Sequence, residues 1–85
     1  MFEIKLKKQA VKYYNKCTGK AFIKIDNALE GLKTWQGNIE KIEGYKDRYK
    51  LKIPPYRIIF THVKGNIIID VIRIGTRGDI YKKGD

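Results

Sequence analysis

Two β-rich segments separated only by Pro54-Pro55 constrain this chain more than any other feature: RYKLKI (48–53) runs straight into YRIIFTHV (56–63). Both are rich in β-branched and aromatic residues, and paired prolines cannot continue a central strand. So short a joint obliges the two segments to lie side by side as antiparallel neighbours. Tyr49, Leu51 and Ile53 then share one face, with Lys50 and Lys52 on the other. If Ile53 faces Tyr56, Lys52 falls opposite Arg57. A four-residue loop keeps that parity, whereas a three-residue loop with a bulge breaks it. Like charges directly opposite one another cost from a few tenths to about 1 kcal/mol. An anion held between them would reverse the sign.

The rest of the chain supplies what such a hairpin packs against. FEIKL (2–6) alternates as a short strand, and KKQAVKYYNKC carries Ala10, Val11, Tyr14 and Cys17 at helical spacing before Thr18-Gly19 interrupts it. Ala21 to Lys33 reads as a second helix with an apolar stripe of Phe22, Ile25, Leu29 and Leu32. A polar connector with Gly37 and Gly44 follows, and NIIIDVIRI (66–74) is a third strand after Lys64-Gly65-Asn66. The expected fold is α+β: an N-terminal strand, a two-helix antiparallel hairpin, then three antiparallel strands in a twisted sheet with the helices on one face. The first strand has to return to the sheet edge. Eighty-five residues make a single domain, 1–85.

Charge narrows the partners. Nineteen Lys and Arg against nine Asp and Glu leave a formal +10, which attracts polyanions: nucleic acid first, with acidic lipid or an acidic protein satisfying the same field. Lysines 7, 8, 12, 16, 20 and 24 read mostly as a solvated helix face. No apolar run is long enough to span a bilayer and the N-terminus lacks a signal-peptide core, so a cytoplasmic location without membrane contact is expected. One cysteine, Cys17, fits a reducing compartment.

One histidine and one cysteine give no metal-ligand spacing, and there is no glycine-rich phosphate loop, nucleophile signature or acidic magnesium cluster. His62 reads as a packed or edge residue. An enzyme built from this sequence works with Lys, Arg and Tyr. Lys50, Lys52 and Arg57 on one face can hold a phosphodiester and stabilise charge growing on it, and crowding favours one amine giving up its proton. In the tail, Arg77 suits a bidentate grip on phosphate and Tyr81 suits stacking on an unpaired base. The purely structural alternative is that exposed strand lysines discourage edge-to-edge pairing.

FEIKL, AVKYY, ALEGL, IEKIEGYKDRYKLKI, YRIIF and VIRIGTRGDIY together resemble the RelE/ParE toxin superfamily of bacterial toxin–antitoxin pairs, over essentially the whole chain and most specifically in the last two blocks. The closer likeness is to the RelE-like mRNA interferase toxins of type II systems, which implies a RelE-like fold. That branch carries two lysines one residue apart, an arginine on the next strand, and a C-terminal arginine followed by a tyrosine. Lys50 and Lys52, Arg57, Arg77 and Tyr81 match these types.

The resemblance implies a metal-free, cofactor-free endoribonuclease that cleaves mRNA in the ribosomal A site, inhibiting translation and arresting growth. In that chemistry the RNA 2′-hydroxyl attacks the adjacent phosphorus and the 5′-oxygen leaves. Lys50 or Lys52 is the base, Arg57 and the other lysine stabilise the phosphorane, Arg77 assists the leaving oxygen and Tyr81 stacks on a base. Lys46, Arg48, Arg73, Lys82 and Lys83 are further candidates for RNA or ribosome contact. Implied partners are the 70S ribosome, mRNA and an acidic antitoxin in a toxin–antitoxin hetero-oligomer.

The chain reads Thr76-Arg77-Gly78 where many relatives have His-Arg-Arg, which closes the histidine variant of the mechanism. The alternatives are a ParE-like DNA gyrase inhibitor without nuclease activity, and a basic RNA-binding domain without catalysis.

Overall fold

The computed structural model describes residues 1–76. Strand β1 (Glu3–Leu6) is followed by helices α1 (Lys8–Lys16) and α2 (Gly19–Leu32) and by strands β2 (Asn38–Lys41), β3 (Arg48–Ile53), β4 (Tyr56–Thr61) and β5 (Ile68–Thr76). They form one five-stranded sheet in the order β1-β5-β4-β3-β2. The last four strands run antiparallel in succession, and β1 returns to the far edge to pair parallel with β5, so the sheet is mixed.

The α2 stripe is the expected one in its deeper part. Ile25, Leu29 and Leu32 are buried, while Phe22 stays half-buried with its ring 5.1 Å from that of Tyr14. Ile25, Leu29 and Leu32 join Ala10 of α1 and Leu51, Ile58, Phe60, Ile69, Val71 and Ile74 of the sheet in one core. Neither helix has a side-chain N-cap bond. Their stability therefore comes from this burial rather than from capping. No helix among the described residues is long and apolar enough to cross a membrane.

Where α2 ends, Trp35 takes the left-handed conformation (φ 57) usually left to glycine, and Gln36 N–H donates to the Gly31 carbonyl. That conformation costs about 1–2 kcal/mol for an L-residue. The compensation is aromatic: Phe2, Tyr49, Phe60 and His62 all lie with ring centroids 5.2–5.8 Å from the indole. His62 is thus a packed residue, and its Nε2 lies 2.8 Å from the Asn66 carbonyl oxygen.

Two features differ from the expected architecture. The connector after α2 contains the edge strand β2, paired antiparallel with β3. Its pattern is weak because Ile39 is the single apolar residue in NIEK. The β4–β5 ladder also carries a bulge: Ile59 faces Arg73 but Phe60 faces Val71. The extra residue reverses the side-chain alternation of β5. It lets both Val71 and Ile74 reach the core while Arg73 stands on the opposite face beside Ile59.

β5 outruns β1, and the gap is closed by a side chain. Gln9 of α1 donates through Nε2 to the Ile74 carbonyl (3.0 Å) and accepts from the Ile74 N–H through Oε1 (2.9 Å). Its amide stands in for the missing strand.

A cationic sheet face as the candidate functional site

The face of the sheet turned away from the helices collects the predicted cations. β3 and β4 pair with Lys52 opposite Arg57 and Ile53 opposite Tyr56 across Pro54-Pro55, the register expected from the shortest loop. Alternation then places Arg48, Lys50 and Lys52 of β3 on one side, beside Thr61, Ile59 and Arg57 of β4. Arg73 lies across from Ile59 on β5, and Gly75 lies across from Arg57, where it presents no side chain to crowd the guanidinium. Ile59 is only 5% exposed yet stands outside the main core cluster, giving the face an apolar floor between Lys50 and Arg73.

Sequence reasoning missed the residue that reconciles these charges. Glu40 of β2 stands opposite Lys50. Its Oε2 lies 2.6 Å from Lys52 Nζ and its Oε1 3.9 Å from Lys50 Nζ. The hydrogen bond from Lys52 holds the Glu40 carboxyl below the usual carboxylate range, helped by the charges of Lys52, Lys50 and Arg57 and opposed by partial burial. The Lys52–Arg57 confrontation is therefore screened by an internal anion rather than left bare. The only local signal for Glu40 was the short Asn38-Ile39-Glu40 alternation, in a segment with too little apolar content to declare itself a strand.

The Glu40 carboxylate also measures the site. Two oxygens of one oxyanion contact both lysine nitrogens while Arg57 is close enough to act on the same charge. A phosphodiester offers a comparable pair of oxygens. The face is open: the groove between α2 and the β2–β3 corner, about 450 Å³, meets it at Asn38 and Lys52 on the rim. An open cationic strip suits a long polyanion better than an enclosed small molecule.

Of the other candidates, Lys46 is exposed in the β2–β3 loop. Arg48 stacks on Tyr45 with its guanidinium carbon 4.2 Å from the ring centroid. Arg77, Tyr81, Lys82 and Lys83 lie outside the described residues.

Comparison with known proteins gives three findings. A family model, the ParE toxin of type II toxin–antitoxin systems, matches residues 4–81. No curated protein matches. Among solved structures, the isolated E. coli RelE toxin is similar over 95% of this chain and 92% of its own, with 22% identity and a TM-score of 0.76. A chain of the RelB–RelE antitoxin–toxin complex from Methanococcus jannaschii is similar over 91% of this chain and 94% of its own, at 23% identity and a TM-score of 0.73. A chain of the archaeal RelE–RelB complex from Pyrococcus horikoshii OT3 gives 21% identity, 91% and 96% coverage and a TM-score of 0.66. At these identities the structural likeness speaks for the fold.

Proposed function

This chain belongs to the ParE toxin family of type II toxin–antitoxin systems, within the RelE/ParE superfamily, and from that premise we propose that it is a ribosome-dependent endoribonuclease cutting messenger RNA in the A site. The observation that carries the reading is the single carboxylate reaching both Lys50 and Lys52, with Lys52 opposite Arg57. This is a pre-formed cradle for one oxyanion on an open cationic face.

RNA entering the site exchanges its phosphate for the Glu40 carboxylate. The 2′-hydroxyl proton passes to a lysine in its neutral amine form as the 2′-oxygen–phosphorus bond forms and the phosphorus–5′-oxygen bond breaks, and the departing 5′-oxygen takes a proton from water, leaving a 2′,3′-cyclic phosphate and a 5′-hydroxyl. Lys50 is the base in this reading, because Lys52 already donates a short bond to an oxyanion and keeps that role toward the phosphorane. Arg57 shares the stabilisation. Arg77 supports the leaving oxygen and Tyr81 stacks on a base. The ribosome supplies substrate geometry, an orientation effect worth up to about 7–11 kcal/mol in favourable cases. The free protein is therefore a poor nuclease. The partner that keeps it silent is an acidic antitoxin, to which the +10 charge is complementary. Solved relatives come from antitoxin–toxin complexes.

The name of the matching family favours a second reading, a gyrase inhibitor of the ParE kind in which the same cations only bind. Primer extension on a defined message carried by 70S ribosomes separates the two. The nuclease reading expects A-site cuts that fall about 10²–10³-fold in Arg57→Ala and in Lys52→Ala. An intact message, with growth arrest relieved by restoring gyrase function, overturns it in favour of the gyrase reading.

A further inference from the structure

At the far end of β3 from the Lys52–Arg57 corner lies an arrangement the cleavage chemistry does not use. Tyr45, in the loop between β2 and β3, is 48% exposed, unusually open for an aromatic side chain in this fold. The guanidinium carbon of Arg48 stands 4.2 Å from its ring centroid, within cation–π range. The stack covers one face of the ring and holds its orientation, so the exposed area falls on the other face and the edge. Arg48 makes no ion pair with a carboxylate among the described residues, and its buried Nε has no hydrogen-bond partner there. Nothing in the core requires an aromatic at this loop position: Tyr45 does not belong to the core or to the residues packed against it.

Placement gives the pair its meaning. Arg48, Lys50 and Lys52 follow one another at every second position of β3, so their side chains rise from the same face at a repeat of about 6.6 Å. The row puts Arg48 about 13 Å along the strand from Lys52. An extended sugar–phosphate backbone laid along this row meets a cation at each step and arrives at an open aromatic ring at its end. Alternating cations and a stacking platform are the combination that holds unpaired nucleic acid without reading its sequence.

We propose that Tyr45 and Arg48 form a second RNA subsite, in which Tyr45 stacks on the base of a nucleotide flanking the cleaved step and Arg48 holds that nucleotide's phosphate. The ligand class is single-stranded RNA, with any base accepted because every base presents a π-face. The subsite rests on the nuclease reading above, and fixes which way along the sheet the message runs beyond the reacting corner. Tyr45 orients the strand and takes no part in bond making.

The test uses the whole protein and two 2′-O-methyl oligoribonucleotides, which cannot be cleaved: a trinucleotide that fills only the Lys50–Lys52–Arg57 corner, and an octanucleotide that also reaches Tyr45. Affinities are read by fluorescence anisotropy for the unchanged protein, Tyr45→Ala, Tyr45→Phe and Lys52→Ala, with urea unfolding confirming that each variant folds. Tyr45→Ala should weaken the octanucleotide by roughly 5- to 100-fold. It should leave the trinucleotide unchanged, and Tyr45→Phe should bind like the unchanged protein. Lys52→Ala should weaken both. Octanucleotide affinity unaltered in Tyr45→Ala but lost in Lys52→Ala overturns the subsite and leaves the nuclease reading standing. An unchanged protein that binds neither oligonucleotide overturns the subsite, while the nuclease reading stands or falls on the A-site primer extension.

Discussion

Gly37→Ala probes the joint that carries β2, and with it Glu40, to the site. Gly37 has a φ of 119°, a backbone region that L side chains rarely enter. Forcing alanine there costs about 1–3 kcal/mol in backbone strain. A Cβ at this position would also lie 2.7 Å from Leu51 Cδ1, with Cγ and Cδ2 at 3.9 and 4.0 Å. Carbon atoms prefer about 3.5–4.0 Å, so the methyl has to retreat by roughly 1 Å. Leu51 is 2% exposed, which makes that retreat a repacking of the core, but it also borders the groove beside α2, which gives it room. The low end of the overpacking range, about 1 kcal/mol, therefore applies.

The two contributions sum to about 2–4 kcal/mol. For a domain of this size the melting temperature should fall by roughly 10–25 °C. Urea unfolding followed by the fluorescence of Trp35, the sole tryptophan, measures the loss. Gly44→Ala is the control: its φ is 87°, but nothing lies within 4 Å of the added Cβ, so it carries backbone strain alone. The steric share is tested by combining Gly37→Ala with Leu51→Val, which should recover part of the deficit against the sum of the single changes. A Gly37→Ala variant less than about 1 kcal/mol below the unchanged protein, or one equal to Gly44→Ala with strictly additive behaviour toward Leu51→Val, would refute the reasoning.

Three further outcomes follow from single contacts. Gln9→Ala strips partners from the backbone N–H and carbonyl of the fully buried Ile74, and should cost about 2–4 kcal/mol in urea unfolding. A loss no larger than at an exposed helix position would show that the amide does not replace a strand. Glu40 has a folded-state pKa below its unfolded value, so its stabilising contribution is present at neutral pH and lost as pH falls through the lowered value. The stability gap between the unchanged protein and Glu40→Gln should therefore close in acid, and Glu40→Gln should bind RNA more tightly at neutral pH; a gap independent of pH contradicts the first point, and weaker binding the second. Tyr14 donates a 2.8 Å bond to Asp26, and that bond, with some burial and the charges of Asp26 and Glu30, holds its phenol above the usual value of 10.0. Absorbance titration of Tyr14→Phe should lose a phenol from the most alkaline part of the curve; loss of an ordinary one would count against the bond.

Much of the cationic face was legible because it is local. The β3–β4 pairing follows from the two-proline joint, and in the shortest-loop register that the structure takes, side-chain alternation carries Lys50, Lys52 and Arg57 to one face. The same logic recovers the α2 stripe and the packed role of His62. Glu40 escaped because a strand with one apolar residue is stabilised by its neighbour β3 rather than by its own pattern. Arg73 was named as a candidate for RNA contact without a face assigned to it, because continuous alternation from Val71 would send it into the core.

Sequence alone determined the element order apart from β2, the antiparallel β3–β4 pairing and the identity of the cations, since all of these depend on residues a few positions apart. Tertiary structure decided that β1 pairs parallel with β5, that Gln9 completes the β5 edge and that a bulge turns Arg73 outward. It also decided that Glu40 reaches both lysines. Each of these depends on groups far apart in the chain meeting at a fixed distance, and burial and backbone hydrogen bonding settle such meetings collectively, with no trace in local periodicity.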